Sequence, residues 1–234
     1  MKLALLGHGA MGRLVERLAS EAGDEVATVL GSREAAFSAE ELAEILAGHD
    51  AAVDFSVAEA VPRHAEACAL AGVPLVEGTT GWQAQLGEVR RAFEREGGAL
   101  IYGANFSIGV NLFYRVAARA AELFQGFDYA AFVEEAHHSR KRDAPSGTAL
   151  RLRDILTAAY DSEVPVASTR AGHIPGTHRV GFDAAADQIT LTHTARSREG
   201  FTAGALVAAR WIQGRTGVYE FSETLDEILK EGDK

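Results

Sequence analysis

The sequence predicts a two-domain α/β protein: an N-terminal parallel sheet wound with helices, then a C-terminal α+β domain with a mixed or antiparallel sheet. Three observations carry this. Up to Asn105, short apolar runs alternate with helix-spaced segments, the pattern of a parallel sheet. A glycine-rich turn stands directly between the first such run and the first helix. After Asn105 the alternation gives way to three β-like runs with no helix between them, which suggests an antiparallel or mixed sheet.

Lys2 to Leu6 is an apolar run that ends in Gly-His-Gly-Ala-Met-Gly. Arg13 to Ala22 has helical spacing, with Leu14, Val15 and Leu18 on one side, and Val26 to Leu30 reads as a second strand. Together they make one βαβ unit. A helix over Glu40 to Ala47, a strand over Ala51 to Phe55 and a helix over Ala58 to Ala71 follow, with Pro62 tolerable in a first turn. Val73 to Val76 is a strand before Gly78-Thr79-Thr80-Gly81. Gln83 to Glu96 is a helix stopped by Gly97-Gly98, and Ala99 to Tyr102 is a further strand. Beyond Asn105 come a long helix over Val110 to Gln125, a strand over Tyr129 to Ala136 and a helix over Thr148 to Tyr160. The three β-like runs lie around Val166 to Thr169, His178 to Phe182 and Gln188 to Thr194. A last apolar helix, Ala203 to Ile212, can return to the first domain. The expected division is residues 1–106 plus a returning 204–234, against 107–203.

A length of 234 residues allows one large domain or two small ones. A formal net charge of −10 disfavours nucleic acid and anionic membranes as partners, and it sets off the local cations Arg140, Lys141 and Arg142. Cys68 is the only cysteine, so neither an internal disulfide nor a cysteine-based metal site can form, which fits a cytoplasmic protein. Met1 to Leu6 is too short for a signal-peptide core, and no apolar run reaches membrane-spanning length. Neither low-complexity sequence nor a solenoid repeat is present.

Gly7-His8-Gly9-Ala10-Met11-Gly12 matches G-x-G-x-x-G between a strand and a helix, the context that gives the pattern meaning. The first glycine permits the tight turn, the second lets backbone approach a pyrophosphate, and the third lets helix pack on strand. This is a Rossmann-like dinucleotide turn; the competing reading is a glycine turn without a ligand. The His8 side chain is given no role of its own. About twenty residues on, where an acid would bind a ribose hydroxyl, the chain reads Leu30-Gly31-Ser32-Arg33-Glu34. Ser32 and Arg33 there suit a 2′-phosphate. The cofactor is therefore NADPH or NADH with a lean to NADPH, against Arg33 as a solvated loop charge and Glu34 as a shifted acid. Gly78, Thr79 and Thr80 sit at the carboxyl edge of the sheet, where a nicotinamide or ribose would lie.

His137-His138-Ser139-Arg140-Lys141-Arg142 brings two imidazoles and three cations together, and Pro145-Ser146-Gly147-Thr148 opens a helix at once. Histidine exchanges protons near neutrality, and lysine can donate a proton or clamp a carboxylate. A helix start adds free N–H groups and a positive dipole end. The set reads as an anion site beside a proton donor; residue by residue, a charged loop with a capped helix is the alternative. Zinc is discounted because adjacent histidines lack further ligands. His49 and His64 read as structural or solvated.

Glu135-Ala136-His137-His138-Ser139-Arg140-Lys141-Arg142-Asp143-Ala144-Pro145-Ser146-Gly147-Thr148-Ala149 resembles the signature of the 4-hydroxy-tetrahydrodipicolinate reductase (dihydrodipicolinate reductase) family of the bacterial diaminopimelate–lysine pathway. The resemblance spans nearly the whole chain, through the glycine turn, Val53-Asp54-Phe55-Ser56, Gly78 to Gly81, and Ala104-Asn105-Phe106-Ser107-Ile108-Gly109-Val110-Asn111. It implies His137 as acid/base and Lys141 as proton donor. It implies that His138, Gly147 and Thr148, with Ser146 beside them, bind a substrate carboxylate, and that Arg198 lies near the substrate. It implies cofactor contacts from Gly78, Thr79 and Thr80 and from Ala104, Asn105, Phe106 and Ser107. It also implies a homotetramer joined through the second domain's sheet, acting on a small cyclic dicarboxylate. Ser56 stands where the family has threonine and Ala58 where proline is common, while Gly31 replaces the usual acid after the second strand.

On this reading a hinge near Asn105 to Gly109 closes, hydride passes from the reduced nicotinamide to the ring, and Lys141 or His137 supplies the proton. A semialdehyde dehydrogenase is a rival, but it needs a thiolate, and Cys68 lies in a predicted helix away from any helix N-terminus. A dinucleotide sensor is another, but it has no use for His137 and Lys141 together.

Overall fold

The computed structural model describes residues 1–232. These fall into two compact units: Met1–Ser107 with the segment from Glu199 onward, and Ile108–Arg198.

The first unit holds a six-stranded, all-parallel sheet. Its strands are β1 (Lys2–Leu6), β2 (Glu25–Leu30), β3 (Ala51–Asp54), β4 (Leu75–Glu77), β5 (Ala99–Tyr102) and β10 (Gly217–Glu220), in the order β10-β5-β4-β3-β1-β2. The central strands are buried and mainly apolar, as strands covered on both faces must be, with the acids Asp54 and Glu77 at the ends of β3 and β4. Helices α1 (Ala10–Glu21) and α7 (Glu199–Trp211) pack together, α7 lying against β3 and β4. Helices α2 (Ala39–Leu46), α3 (Val61–Ala71) and α4 (Leu86–Glu96) form a second layer, where Leu42, Leu46, Ala65, Cys68, Val89 and Phe93 bury against Leu6, Leu75 and Leu100. The strand order reverses between β2-β1 and β1-β3, so the carboxyl ends of β1 and β3 flank the crevice where such sheets take ligands.

Most expected elements appear with shifted ends. The expected helix from Ala58 begins as a 3₁₀ turn, Ala58–Ala60, and becomes α3 at Val61 with Pro62 in its first turn. Two elements escaped the sequence reading: β10 and α8 (Phe221–Gly232). β10 is four half-buried residues with no polar alternation to mark it.

The second unit holds a mixed sheet in the order β7-β6-β8-β9, from β6 (Ala130–His137), β7 (Val166–Arg170), β8 (Thr177–Asp183) and β9 (Gln188–Thr194). β6 pairs parallel with β7 and antiparallel with β8, so the "mixed" half of the expectation holds. Helices α5 (Ile108–Phe124) and α6 (Gly147–Tyr160) cover one face. Phe113, Val133, Leu152, Leu156, Val180 and Phe182 form the core between them.

Candidate active site

The glycine turn of the first unit has the geometry its sequence implies. Gly7 sits at φ +90° and donates its N–H to Leu30 O at 2.8 Å. A Cβ on Gly12 would stand 2.1 Å from Gly7 O, which no side chain tolerates, whereas a Cβ on Gly9 would meet nothing within 4 Å. Helix α1 starts at Ala10 with no side-chain cap and no acid in its first turn. The first-turn N–H groups of Ala10, Met11 and Gly12 therefore lie at a positive helix end suited to a pyrophosphate. His8 is turned to Glu16, Nε2 to Oε2 2.7 Å.

After β2, Ser32–Ala36 forms a 3₁₀ turn in which Glu34 Oε2 accepts the Gly31 N–H at 2.8 Å. Glu34 is thus folded back on the turn, and Ser32 and Arg33 are exposed. In the turn after β4, the two threonines divide. Thr80 is exposed, but Thr79 is buried, its hydroxyl accepting Ser56 N–H at 3.1 Å. Only one of the two hydroxyls expected at a ligand faces outward. Phe106 is 2 % exposed and packs on Phe221 with tilted rings, centroids 4.7 Å apart, leaving its backbone for any ligand contact. Ser107 donates its N–H to Asn105 Oδ1 at 2.9 Å, and Ala104 stands just before this turn. The residues present fit a nicotinamide dinucleotide.

The second unit holds the chemistry-bearing residues. Strand β6 ends at His137, which is 8 % exposed, and the chain turns at once: Lys141 N–H donates to His138 O at 3.1 Å. His138 is half-buried. Lys141 is a quarter exposed and pairs with Asp143, Nζ to Oδ2 2.9 Å. Burial lowers the His137 pKa; Glu135 opposes this and the charge of Lys141 adds to it, so the imidazole is neutral at pH 7. The turn that Lys141 N–H closes on His138 O keeps the expected pair within one short segment.

Ser146 caps α6, its Oγ accepting the Ala149 N–H at 3.3 Å. It is 3 % exposed, and Oγ also lies 3.2 Å from His178 Nε2, so its side chain faces inward. Gly147 is exposed and Thr148 half-buried at the same helix start. Arg198 is exposed in the bend before α7.

Sequence reasoning gave no role to the group that organises the cluster. Glu135, two residues before His137 on one strand face, is 3 % exposed, and its Oε2 lies 3.0 Å from His137 Nδ1. The contact has ion-pair distance without hydrogen-bond alignment. Oε1 accepts from Arg170 Nη2 at 2.6 Å, Ser168 Oγ at 2.8 Å and Ser146 N–H at 3.1 Å. Burial works against this charge, but the hydrogen bonds from Ser146, Arg170 and Ser168 outweigh it and hold the pKa at about 2. His178, the register partner of Glu135 on β8, stands edge-on to His137 with centroids 5.0 Å apart. Its pKa is pushed down to about 4 by burial and then by His137. The i, i+2 spacing of Glu135 and His137 was the one available signal; His178 and Arg170 arrive only through strand pairing.

The ligand-count argument against a metal does not survive the fold. Glu135, His137 and His178 each place one ligand atom within 4.8 Å of the others. The stronger objection is electrostatic: the Arg170 guanidinium already neutralises that carboxylate at 2.6 Å, and Lys141 adds positive charge.

Residues 1–106 match the family model described as dihydrodipicolinate reductase, N-terminus, and residues 109–225 match the one described as its C-terminus. The chain is 35 % identical over 243 residues to the 4-hydroxy-tetrahydrodipicolinate reductase of Christiangramia forsetii, covering 98 % of this chain and 100 % of that protein. It is 41 % identical over 202 residues to that of Thiobacillus denitrificans, covering 77 % and 74 %. Among solved structures, a dipicolinate-bound dihydrodipicolinate reductase from Paenisporosarcina sp. TG-14 shares the fold at TM-score 0.73 and 20 % identity, over 94 % of this chain and 97 % of that one. With both halves matched and a full-length relative at this identity, the chain belongs to the dihydrodipicolinate reductase family.

Proposed function

We propose that the chain reduces 4-hydroxy-tetrahydrodipicolinate to tetrahydrodipicolinate with NADPH or NADH, in the diaminopimelate route to lysine. The observation that carries this is the juxtaposition of His137 and Lys141 before an α6 N-terminus that presents Gly147 and Thr148 outward. When bound, the reduced nicotinamide supplies hydride to the unsaturated ring, water having left the hydroxylated precursor.

Residues 7–12 hold the pyrophosphate on backbone N–H groups, and Thr80 with the Gly78–Thr79 backbone and residues 104–107 orient the nicotinamide half. Ser32 and Arg33 receive a 2′-phosphate where one is present. Gly147, Thr148 and His138 bind one substrate carboxylate, and Arg198 takes a place near the substrate. Lys141 donates the proton that the reduced ring requires, and His137, neutral at pH 7, serves as the acid/base relay beside it.

A cytoplasmic homotetramer joined through the second sheet is part of the same reading. Within its own unit that sheet is covered on one face only, and among the described residues no helix is long and apolar enough to cross a membrane. Light scattering on the pure protein tests the oligomer, and a monomer would sink it.

The central test mixes pure protein, freshly generated cyclic substrate and each reduced cofactor while nicotinamide absorbance is followed. Substrate-dependent oxidation is expected, and its absence with both cofactors overturns the reading. Arg33→Ala is expected to weaken NADPH and spare NADH; equal effects remove the case for a 2′-phosphate contact.

A further inference from the structure

Asp54 and Glu77 end two neighbouring parallel strands as register partners, and both are fully buried. No step proposed above uses either. Two carboxylates at adjacent strand ends in a protein interior do not both keep a charge, so their presence needs an explanation.

Each carboxyl grips a turn. Asp54 Oδ1 accepts the Ser56 N–H at 2.7 Å and faces the Thr79 hydroxyl at 3.4 Å. Asp54 Oδ2 accepts from His64 Nδ1 at 2.7 Å, and His64 is itself buried on α3. Glu77 Oε1 accepts the Thr79 N–H at 2.6 Å. Thr79 O in turn accepts Trp82 Nε1 at 2.9 Å. The turns also interlock. A Cβ on Gly7 would stand 2.8 Å from Phe55 O and Ser56 Cα, and one on Gly78 would stand 2.2 Å from the Phe55 ring. Three turns, after β1, β3 and β4, are thus set against one another at the crevice where strand order reverses.

We propose that Asp54, Glu77 and His64 are positioning residues for the dinucleotide: a buried clasp that sets the Ser56 and Thr79 turns against the Gly7 turn. The inference rests on the reading of these turns as the cofactor site. Within the clasp His64 donates to Asp54, and Glu77 is a neutral carboxylic acid. Glu77 Oε2 has no hydrogen-bond partner, a deficit that costs a charged oxygen far more than a neutral one. Burial and then the Asp54 charge push the Glu77 carboxyl well above the carboxylate range. Cys68 on α3 also faces the pair, its thiol pushed up by burial and then by these two acids, and Tyr102 on β5 is the register partner of Glu77.

The test titrates each protein with NADPH by nicotinamide fluorescence and measures kcat and both KM values. Glu77→Gln, which mimics the neutral acid, is expected to bind NADPH within about twofold of wild type. Glu77→Ala strands the Thr79 N–H and is expected to weaken NADPH by about tenfold, the size of one lost buried hydrogen bond. The dicarboxylate KM, and kcat at saturating NADPH, should stay within about threefold. Should Glu77→Ala not fold, His64→Gln loosens Asp54 and carries the same expectation. Unchanged NADPH affinity in Glu77→Ala or its substitute, or a loss confined to kcat, overturns the clasp. Equal damage from Gln and Ala overturns the neutral-acid assignment. Wild type that neither binds nor oxidises a nicotinamide overturns the underlying reading, a result distinct from either.

Discussion

Replacing Glu135 by Gln removes the charge that lies 3.0 Å from His137 Nδ1 and 2.6 Å from Arg170. Because the Glu135 charge is the main influence that raises the His137 pKa against burial, its loss lowers that pKa further. The acid limb of kcat/KM for Glu135→Gln should therefore move to lower pH, with kcat down about 10- to 100-fold and the KM for NADPH unchanged. An unmoved limb would show that Glu135 is structural only. Lys141→Ala should lower kcat by about 10²–10⁴-fold and leave NADPH affinity intact, as stopped-flow turnover and fluorescence titration would show. His178 makes stability depend on pH. Its folded pKa of about 4 lies below the free value of 6.5, so the unfolded chain binds the proton first as pH falls. Its contribution is full above pH 6.5 and declines toward pH 4. Wild-type Tm should fall across that window, by the equivalent of about 3 kcal/mol at most, and His178→Gln should flatten the fall. The sequence showed His137, Lys141 and the helix start because they are local. It could not show that Glu135 meets His178 and Ser168, since those contacts are fixed by the registers of β6 with β8 and β7.

Elements with a strong local signature were legible: the glycine turn into α1, the capped start of α6, and the helix-free run that became β7 to β9. The tail was not. Phe221, Leu225 and Ile228 give α8 a buried stripe at helical spacing, but β10 before it is too short to display a period. Helix α7 makes a sharper demand than its apolar composition suggested. Gly204 lies so close to the chain at Phe106 that a Cβ would sit 1.8 Å from Phe106 O. Gly204→Ala must push the helix off that turn, and a loss of roughly 1–3 kcal/mol or more is expected in urea unfolding. A variant as stable as wild type would contradict the packing described for α7.

At the scale of the molecule, the first sheet is assembled from both ends of the chain, β5 pairing with β10 across the whole of the second unit's sequence. A protein stopped at Gly214 lacks β10 and α8, and so bares the edge of β5 and the apolar seat of Phe221. Such a truncation should be recovered in the aggregated fraction after expression, where the full chain stays in the supernatant. The sequence reading expected a returning helix, Ala203 to Ile212, but gave no sign of β10, the strand after it that completes the sheet edge, because that depends on which strand pairs with β5. Synthesis consequently runs out of step with architecture. Once Arg198 has been added, the inserted unit has every residue it needs, while the one that began at Met1 waits for Gly217–Glu220 before its last edge strand can pair. A nascent chain arrested between those points would display one finished body and one incomplete sheet, with the glycine turn already made but its supporting layer unfinished.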